Sequence, residues 1–450
     1  MKTRPHHIGH AFRREFSDWR LWRARAVVVA FAALAGLAVV GFTAVSEFAF
    51  SRFYAMYQHW RWSPLLWTPL CAAAIVWLTR RYAAGAGGSG IPQVMAALEP
   101  VTAADKQGLF VSLRLSLAKV LLTTWGLLAG LSLGREGPSV QVAAGVMLAA
   151  RRWLPERSGV NPHGLLVAGG AAGIAAAFNT PLGGIMFAIE ELSRTPEQRS
   201  SGLLMAAIVL AGLMAVSLNG NQTYFGLIHA TGIDTGLILP GVAVALASGL
   251  AGGLFSRLLI VSLSAPPRDW FSRLRARKPV LFAAGCGLGV AAIGLYSGGA
   301  VFGSSSDHTR ALVAGGEHAT GLFFFLKFIA TWLTAWSGVP AGIFAPSLSI
   351  GAALGNDVAL LLDYPHASAL IALGMVGFLA AATQAPLTSF IIVMEMVDGH
   401  AMVLSLMACA MVARTVSHVL SPPLYAQLAQ TQLSRLPQTP LPKESGANKL

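Results

Sequence analysis

The sequence predicts an all-α, polytopic membrane protein. Of its 450 residues 55% are hydrophobic and only 11% charged, with a mean hydropathy of +0.62; a soluble domain carries about 25% charged residues. Long runs such as Leu121 to Leu133 hold no charge at all. The charges present are segregated: Arg13, Arg14, Arg20, Arg23 and Arg25 precede the first apolar run, and Arg257, Arg268, Arg273, Arg275, Arg277 and Lys278 surround a middle loop. Positive residues beside spans mark the cytoplasmic side, so the net charge of +13 is read as topology and not as a nucleic-acid surface. No polar linker divides the apolar segments. One membrane domain is expected over 26–425, after a basic cytoplasmic segment 1–25 and before a short cytoplasmic tail 426–450. No secretory signal is legible, because no small-residue cleavage site follows the first apolar run.

Taken in order, Ala26 to Phe48 is long enough to span at about twenty residues per crossing. Trp60 to Trp67 is an aromatic belt leading into Leu70 to Leu78. Gly85-Ala86-Gly87-Gly88-Ser89-Gly90-Ile91-Pro92 formally holds GxGxxG. A dinucleotide site would need a strand before it and an acid about twenty residues after it, and this chain offers membrane segments instead. What remains is a glycine-rich turn and Pro92 opening a short helix, Gln93 to Leu98, with Ser89 beside its N-terminus; an ordinary tight turn is the alternative. Lys119 lies inside the next apolar stretch, where an ion needs a partner or a cavity. Small residues in Leu165 to Leu192 permit close packing in lipid. Ser201 to Leu218 and Leu237 to Phe255 are further spans, and Asn219 to Asp234 is read as external.

The centre of the chain is Gly134-Arg135-Glu136-Gly137-Pro138. Glycine and proline break the helical ladder at membrane depth, where freed N–H groups must find partners. Pro138 suits the first turn of a new helix. That helix directs its N–H groups at a negative group, either Glu136 itself or an anion in its place.

The second half repeats the first. Ala380 to Leu387 matches Ala175 to Leu182, placing Pro386 on Pro181, 205 residues apart. At that offset Glu395 falls on Glu190 and Met396 on Glu191. Gly342-Ile343-Phe344-Ala345-Pro346-Ser347 matches Gly134 to Ser139 at an offset of 208. The halves are about 26–218 and 237–425. Paired broken helices in a duplicated chain indicate a transporter with its ion site at the repeat interface.

Gly88-Ser89-Gly90-Ile91-Pro92, Gly134-Arg135-Glu136-Gly137-Pro138 and Gly342-Ile343-Phe344-Ala345-Pro346 resemble the three signature loops of the CLC chloride channel and transporter family, in the same order and at similar spacing. Ser421-Pro422-Pro423-Leu424-Tyr425 resembles the family's pore-lining tyrosine segment. The resemblance covers nearly the whole chain. It implies a fold of about 18 helices in two inverted repeats and a homodimer with one pore per subunit in the lipid bilayer. The setting expected is a bacterial inner membrane, with both termini cytoplasmic. The stretch after Tyr425 leaves no room for the cytoplasmic CBS domains of many eukaryotic members.

Carried over residue by residue, the resemblance implies a central anion site made of the Ser89 and Tyr425 hydroxyls and the N–H groups of Ile343 and Phe344. The N–H groups of Arg135, Glu136 and Gly137 serve an outer position. Such partial charges hold an anion without trapping it. Serine at 89 resembles chloride-preferring members, proline being common in nitrate-preferring ones; the Glu136-Gly137-Pro138 pattern argues against fluoride. Glu136 resembles the gating glutamate, Glu191 the inner proton-transfer glutamate, and Glu190 an acid that helps water or protons enter. A helix cap is the plain alternative for Glu136, and a solvated helix end for Glu191. Relatives commonly carry acids shortly after the first signature. Here Gln93 and Met95 stand there and the nearest acid is Glu99, which leaves Lys119 without an evident partner.

Two function classes follow: exchange of chloride against protons, and a passive voltage- or pH-gated chloride channel of the same fold. Glu191 favours the first. No nucleophile–base arrangement supports an enzyme. The eleven histidines are dispersed, only His6 and His7 being adjacent, so neither metal nor cofactor is expected. Cys71, Cys286 and Cys409 are read as buried thiols, and Asn221-Gln222-Thr223 as a chance sequon.

Overall fold

The computed structural model describes residues 19–102, 106–155, 160–193, 202–220, 223–226, 235–264, 269–315 and 321–434. His6, His7, Arg13, Arg14, Arg268, Asn221, Gln222 and most of the expected tail lie outside the described residues. Eighteen α-helices occur among those described. The first half contributes α1 (Trp19–His59), α2 (Pro64–Tyr82), α3 (Ile91–Leu98), α4 (Leu113–Leu128), α5 (Glu136–Ala149), α6 (Pro162–Phe178), α7 (Pro181–Phe187) and α8 (Gly202–Asn219). The second contributes α9 (Ile238–Ser264), α10 (Trp270–Arg277), α11 (Pro279–Tyr296), α12 (Ser306–Val313), α13 (Leu322–Ser337), α14 (Phe344–Leu361), α15 (Ala367–Thr383), α16 (Pro386–Met396) and α17 (Val403–Leu420), with α18 (Leu424–Leu433) at the end.

Helix α1 runs past both ends of the expected span. Its 41 residues reach about 60 Å at 1.5 Å per residue, against a hydrocarbon core of about 30 Å, so it tilts or projects. Val28, Ala32, Ala35, Val39 and Phe42 line its buried stripe, at helical spacing. Leu34, Leu37, Val45 and Phe48 are exposed and form an apolar outer face suited to lipid.

The duplication reaches further than the two sequence matches. Helices α2 and α3 begin at Pro64 and Ile91, and α11 and α12 begin 215 residues later, at Pro279 and Ser306. Helices α5 and α14 begin 208 residues apart, at Glu136 and Phe344. In each half the same neighbours pack: α5 along α6 and α14 along α15, α1 against α8 and α9 against α17. Glycine permits the closest approaches. A Cβ on Gly169 in α6 would stand 2.6 Å from the Ala144 Cα in α5. Its counterpart Gly374 in α15 meets the backbone of Gly351 in α14. Helices α6 and α15 also end alike, on left-handed Asn179 (φ 59°) and Gln384 (φ 62°), a conformation that closes a helix and frees the chain to turn.

Candidate functional site

The three signature loops converge. Gly134 N–H donates to Gly342 O at 2.8 Å and Gly342 N–H donates to Gly134 O at 3.0 Å, an antiparallel bridge between equivalent residues of the two halves. Such a bridge is itself two-fold symmetric, so the pseudo-axis passes through it. Immediately beyond it α5 and α14 start, with their first N–H groups free of intrahelical acceptors. The first loop joins them through Ala341 N–H, which donates to Gly88 O at 3.2 Å. Gly90, at φ 112°, lies against the Gly137 carbonyl, and a side chain on Gly137 would strike the Ser89 hydroxyl. Both glycines are therefore required by close approach and not by turn geometry alone.

Gln93 and Lys119 shape the first loop. Gln93 Oε1 accepts from Gly90 N–H at 2.9 Å, and its amide nitrogen donates to Gly87 O. The fully buried Lys119 donates from Nζ to Ala86 O at 2.6 Å and Gly88 O at 2.8 Å. The missing partner is thus a pair of carbonyls, not an acid. Lys327, 208 residues on, is as deeply buried and donates to Val301 O at 3.0 Å and Gly303 O at 2.8 Å. Each ammonium ties down the loop preceding a short helix, α3 or α12.

The Glu136 side chain is 1% exposed. Its Oε2 accepts from Ala345 N–H at 3.4 Å, and the Arg135 and Glu136 amides lie beside the carboxyl group. Its Oε1 has no hydrogen-bond partner. The carboxylate therefore lies between the N-termini of α5 and α14, on the positive ends of both helix dipoles. Arg135 turns outward to Glu47 of α1, Nη2 to Oε1 at 2.7 Å. Both arginine and glutamate line a cavity of about 740 Å³ that also reaches Glu136, Tyr224, Ser306 and Arg310.

On the other side, Tyr425 is buried and its ring stacks on Phe344, with centroids 6.0 Å apart and planes 11° apart. Phe178 and Phe187 close the same aromatic cluster. The Ser89 and Tyr425 hydroxyls are buried and near one another, and neither meets a partner at full hydrogen-bond geometry. A buried hydroxyl without such a partner is rare in a folded protein, and an anion is an acceptor. Tyr425 lies close enough to Ser89, Glu136 and Glu191 for each to act on its hydroxyl.

The structure thus brings Ser89, Glu136, Gly137, Phe344 and Tyr425 together, with Ile343 at the α14 N-terminus. Glu191 lies on the π turn Ala188–Leu192 that follows α7, within reach of Tyr425 for its charge to act there. Glu190 turns away: its carboxylate accepts from Leu387 and Thr388 N–H at 3.1 and 2.7 Å. Sequence reasoning gave no contact to Ala345 or Glu395, which it had aligned with the other half, and passed over Glu47 and Lys327. Lys327 had a signal, since it precedes Gly342 by as many residues as Lys119 precedes Gly134. Glu47, one acid on an apolar helix, had none.

Residues 71–418 match the family model described as voltage gated chloride channel. The chain is 30% identical over 429 residues to the H(+)/Cl(-) exchange transporter ClcA of Klebsiella pneumoniae, covering 89% of this chain and 87% of that one. It is 29% identical over 407 residues to the protein of the same name from Citrobacter koseri, covering 85% and 83%. Among solved structures, that of a slow cyanobacterial Cl-/H+ antiporter superposes with a TM-score of 0.78 at 24% identity, over 92% of this chain and 98% of that one. This last likeness is one of fold: helices in two inverted halves.

Proposed function

The chain belongs to the voltage-gated chloride channel family, and on that premise we propose that it is a secondary active transporter exchanging chloride for protons, not an enzyme. It acts as a homodimer in a bacterial inner membrane, with one pore in each subunit. Residues 26–425 form the membrane domain, and the basic segment 1–25 and the tail 426–450 face the cytoplasm.

The observation that carries this reading is the place of the Glu136 carboxylate. It takes an N–H from Ala345 at the head of α14, beside the donors of Ile343 and Phe344. An anion at the head of that helix meets the same dipole. Two unit negative charges about 4 Å apart repel by about 4 kcal/mol at an effective dielectric of about 20, nearly a thousandfold in occupancy. Carboxylate and chloride therefore exclude one another from the outer position, where the N–H groups of Arg135, Glu136 and Gly137 converge. Protonation removes the charge and releases the side chain; chloride then enters and the proton is carried with the gate. Inside, Ser89 and Tyr425 donate hydroxyls to the central chloride, and Glu191 passes protons to and from the cytoplasm. The names of the relatives, exchangers of H(+) and Cl(-), support the same reading.

Purified protein in liposomes under an outward chloride gradient should drive protons inward against their own gradient. Chloride flux with no proton movement would instead identify a passive channel.

A further inference from the structure

Two carboxylates at the repeat interface do not face the anion path. Glu190, near the end of α7, accepts the N–H groups of Leu387 and Thr388, the second and third residues of α16. Its repeat counterpart Glu395, near the end of α16, accepts those of Leu182 and Gly183 at 3.2 and 2.8 Å, the second and third residues of α7. Each helix is therefore capped by an acid carried at or just past the C-terminal end of the other, and the two lie antiparallel. The exchange fixes both rotation and register, because each acid must meet two particular amides. Helices of seven and eleven residues are too short to hold themselves. At membrane depth their first N–H groups require a partner, and a carboxylate on a helix N-terminus is a strong one.

The symmetry ends within the capping segments themselves: Glu190 is the third residue of a π turn, whereas Glu395 is the last but one of an α-helix. Helix α7 passes into a π turn, Ala188–Leu192, whereas α16 stays α-helical to Met396. A π turn makes room for an extra residue and redirects the side chains on it. Glu191 lies on that turn, and Tyr425 feels its charge; in the other half the same place holds Met396.

We infer that Glu190 and Glu395 are positioning residues for proton transfer by Glu191. The paired caps lock α7, and the π turn converts that lock into the direction of Glu191. Glu190 thus acts through its neighbour and is not itself a proton carrier. This rests on the exchange reading given above.

The test compares Glu395→Ala, Glu395→Gln, Glu190→Ala and Glu190→Gln with wild type in liposomes, recording chloride flux and the proton-to-chloride ratio. Glu395→Ala is expected to lower the ratio while chloride flux persists, although Glu395 is off the proton path. Glutamine keeps one acceptor oxygen and should restore part of the ratio at either site. If only the Glu190 variants lower the ratio, Glu190 is itself on the path and the inference fails. It fails equally if both fluxes fall in proportion, since the caps then serve stability alone. A second readout is independent of exchange: the modification rate of Glu191→Cys by a thiol reagent, in a background without Cys71, Cys286 and Cys409. Adding Glu395→Ala should change that rate several-fold. An unchanged rate overturns the positioning role, whereas absent proton movement in wild type overturns only the exchange reading.

Discussion

In the first half of the molecule α5 opens on Glu136; at the equivalent place in the second half α14 opens on Phe344. Glu191 on the π turn is matched by Met396, and the Ser89 loop by Ser304. The Ser304 hydroxyl pairs with that of Ser306 at 2.7 Å, while that of Ser89 meets no partner at full hydrogen-bond geometry and lies by Tyr425. Other features are shared: the buried lysines holding loop carbonyls, the reciprocal glutamate caps, the prolines in the first turns and the left-handed helix ends. The shared features keep the backbone in place at membrane depth. The unshared ones carry removable charge or an uncommitted donor. Duplication supplied two helix N-termini facing one point, and only one half placed a carboxylate there.

The largest expected effect breaks the contrast between Glu136 and Phe344. Glu136→Gln mimics the uncharged gate, so proton movement should vanish while chloride flows passively. Phe344→Leu should retain proton movement, because its part in the site is a backbone N–H. Loss of coupling in Phe344→Leu would show that the aromatic ring does more than fill space.

Next is the pair Glu191 and Met396. Glu191→Gln should abolish proton movement yet leave a chloride flux that still responds to pH through Glu136. Met396→Gln should change neither. Proton transport at the wild-type ratio in Glu191→Gln would move the inner proton role to another acid.

A smaller effect is expected at Tyr425. A hydroxyl donating to a charge contributes about 1.5–3 kcal/mol, so Tyr425→Ala should weaken chloride binding about ten- to a hundredfold. Tyr425→Phe removes the same hydroxyl and should lose affinity by a similar factor, while any further loss in Tyr425→Ala reports the ring that stacks on Phe344. Titration calorimetry giving equal affinity for wild type and Tyr425→Ala would remove the hydroxyl from the site.

The mildest contrast is between the lysines. Each holds two carbonyls, and leaving these unpaired costs about 1–3 kcal/mol per group. Lys119→Met and Lys327→Met should therefore lower thermal stability to a similar degree. Only Lys119→Met should also weaken chloride binding, because Gly88, whose carbonyl it holds, precedes Ser89. Equal losses of chloride affinity would erase the difference between the two loops.

Sequence by itself determined the membrane class, the broken helices at Pro138, Pro181, Pro346 and Pro386, and the duplication behind them. Those features are written in hydropathy and in glycine and proline, which act on the backbone locally. It also singled out Glu136 beside a helix start, while the roles of Ser89, Glu191 and Tyr425 entered only through the resemblance of their motifs to a known family. The tertiary structure decided what required a partner. Lys119 is satisfied by carbonyls, which every residue possesses and no sequence singles out. The 215-residue correspondence of α3 with α12 was hidden because Gly88-Ser89-Gly90-Ile91-Pro92 and Gly303-Ser304-Ser305-Ser306-Asp307 share little beyond their first two residues. Glu190 and Glu191 are adjacent and chemically identical, and only packing separates them. Both lie on the same π turn, but it is Glu190 that meets the amides of α16.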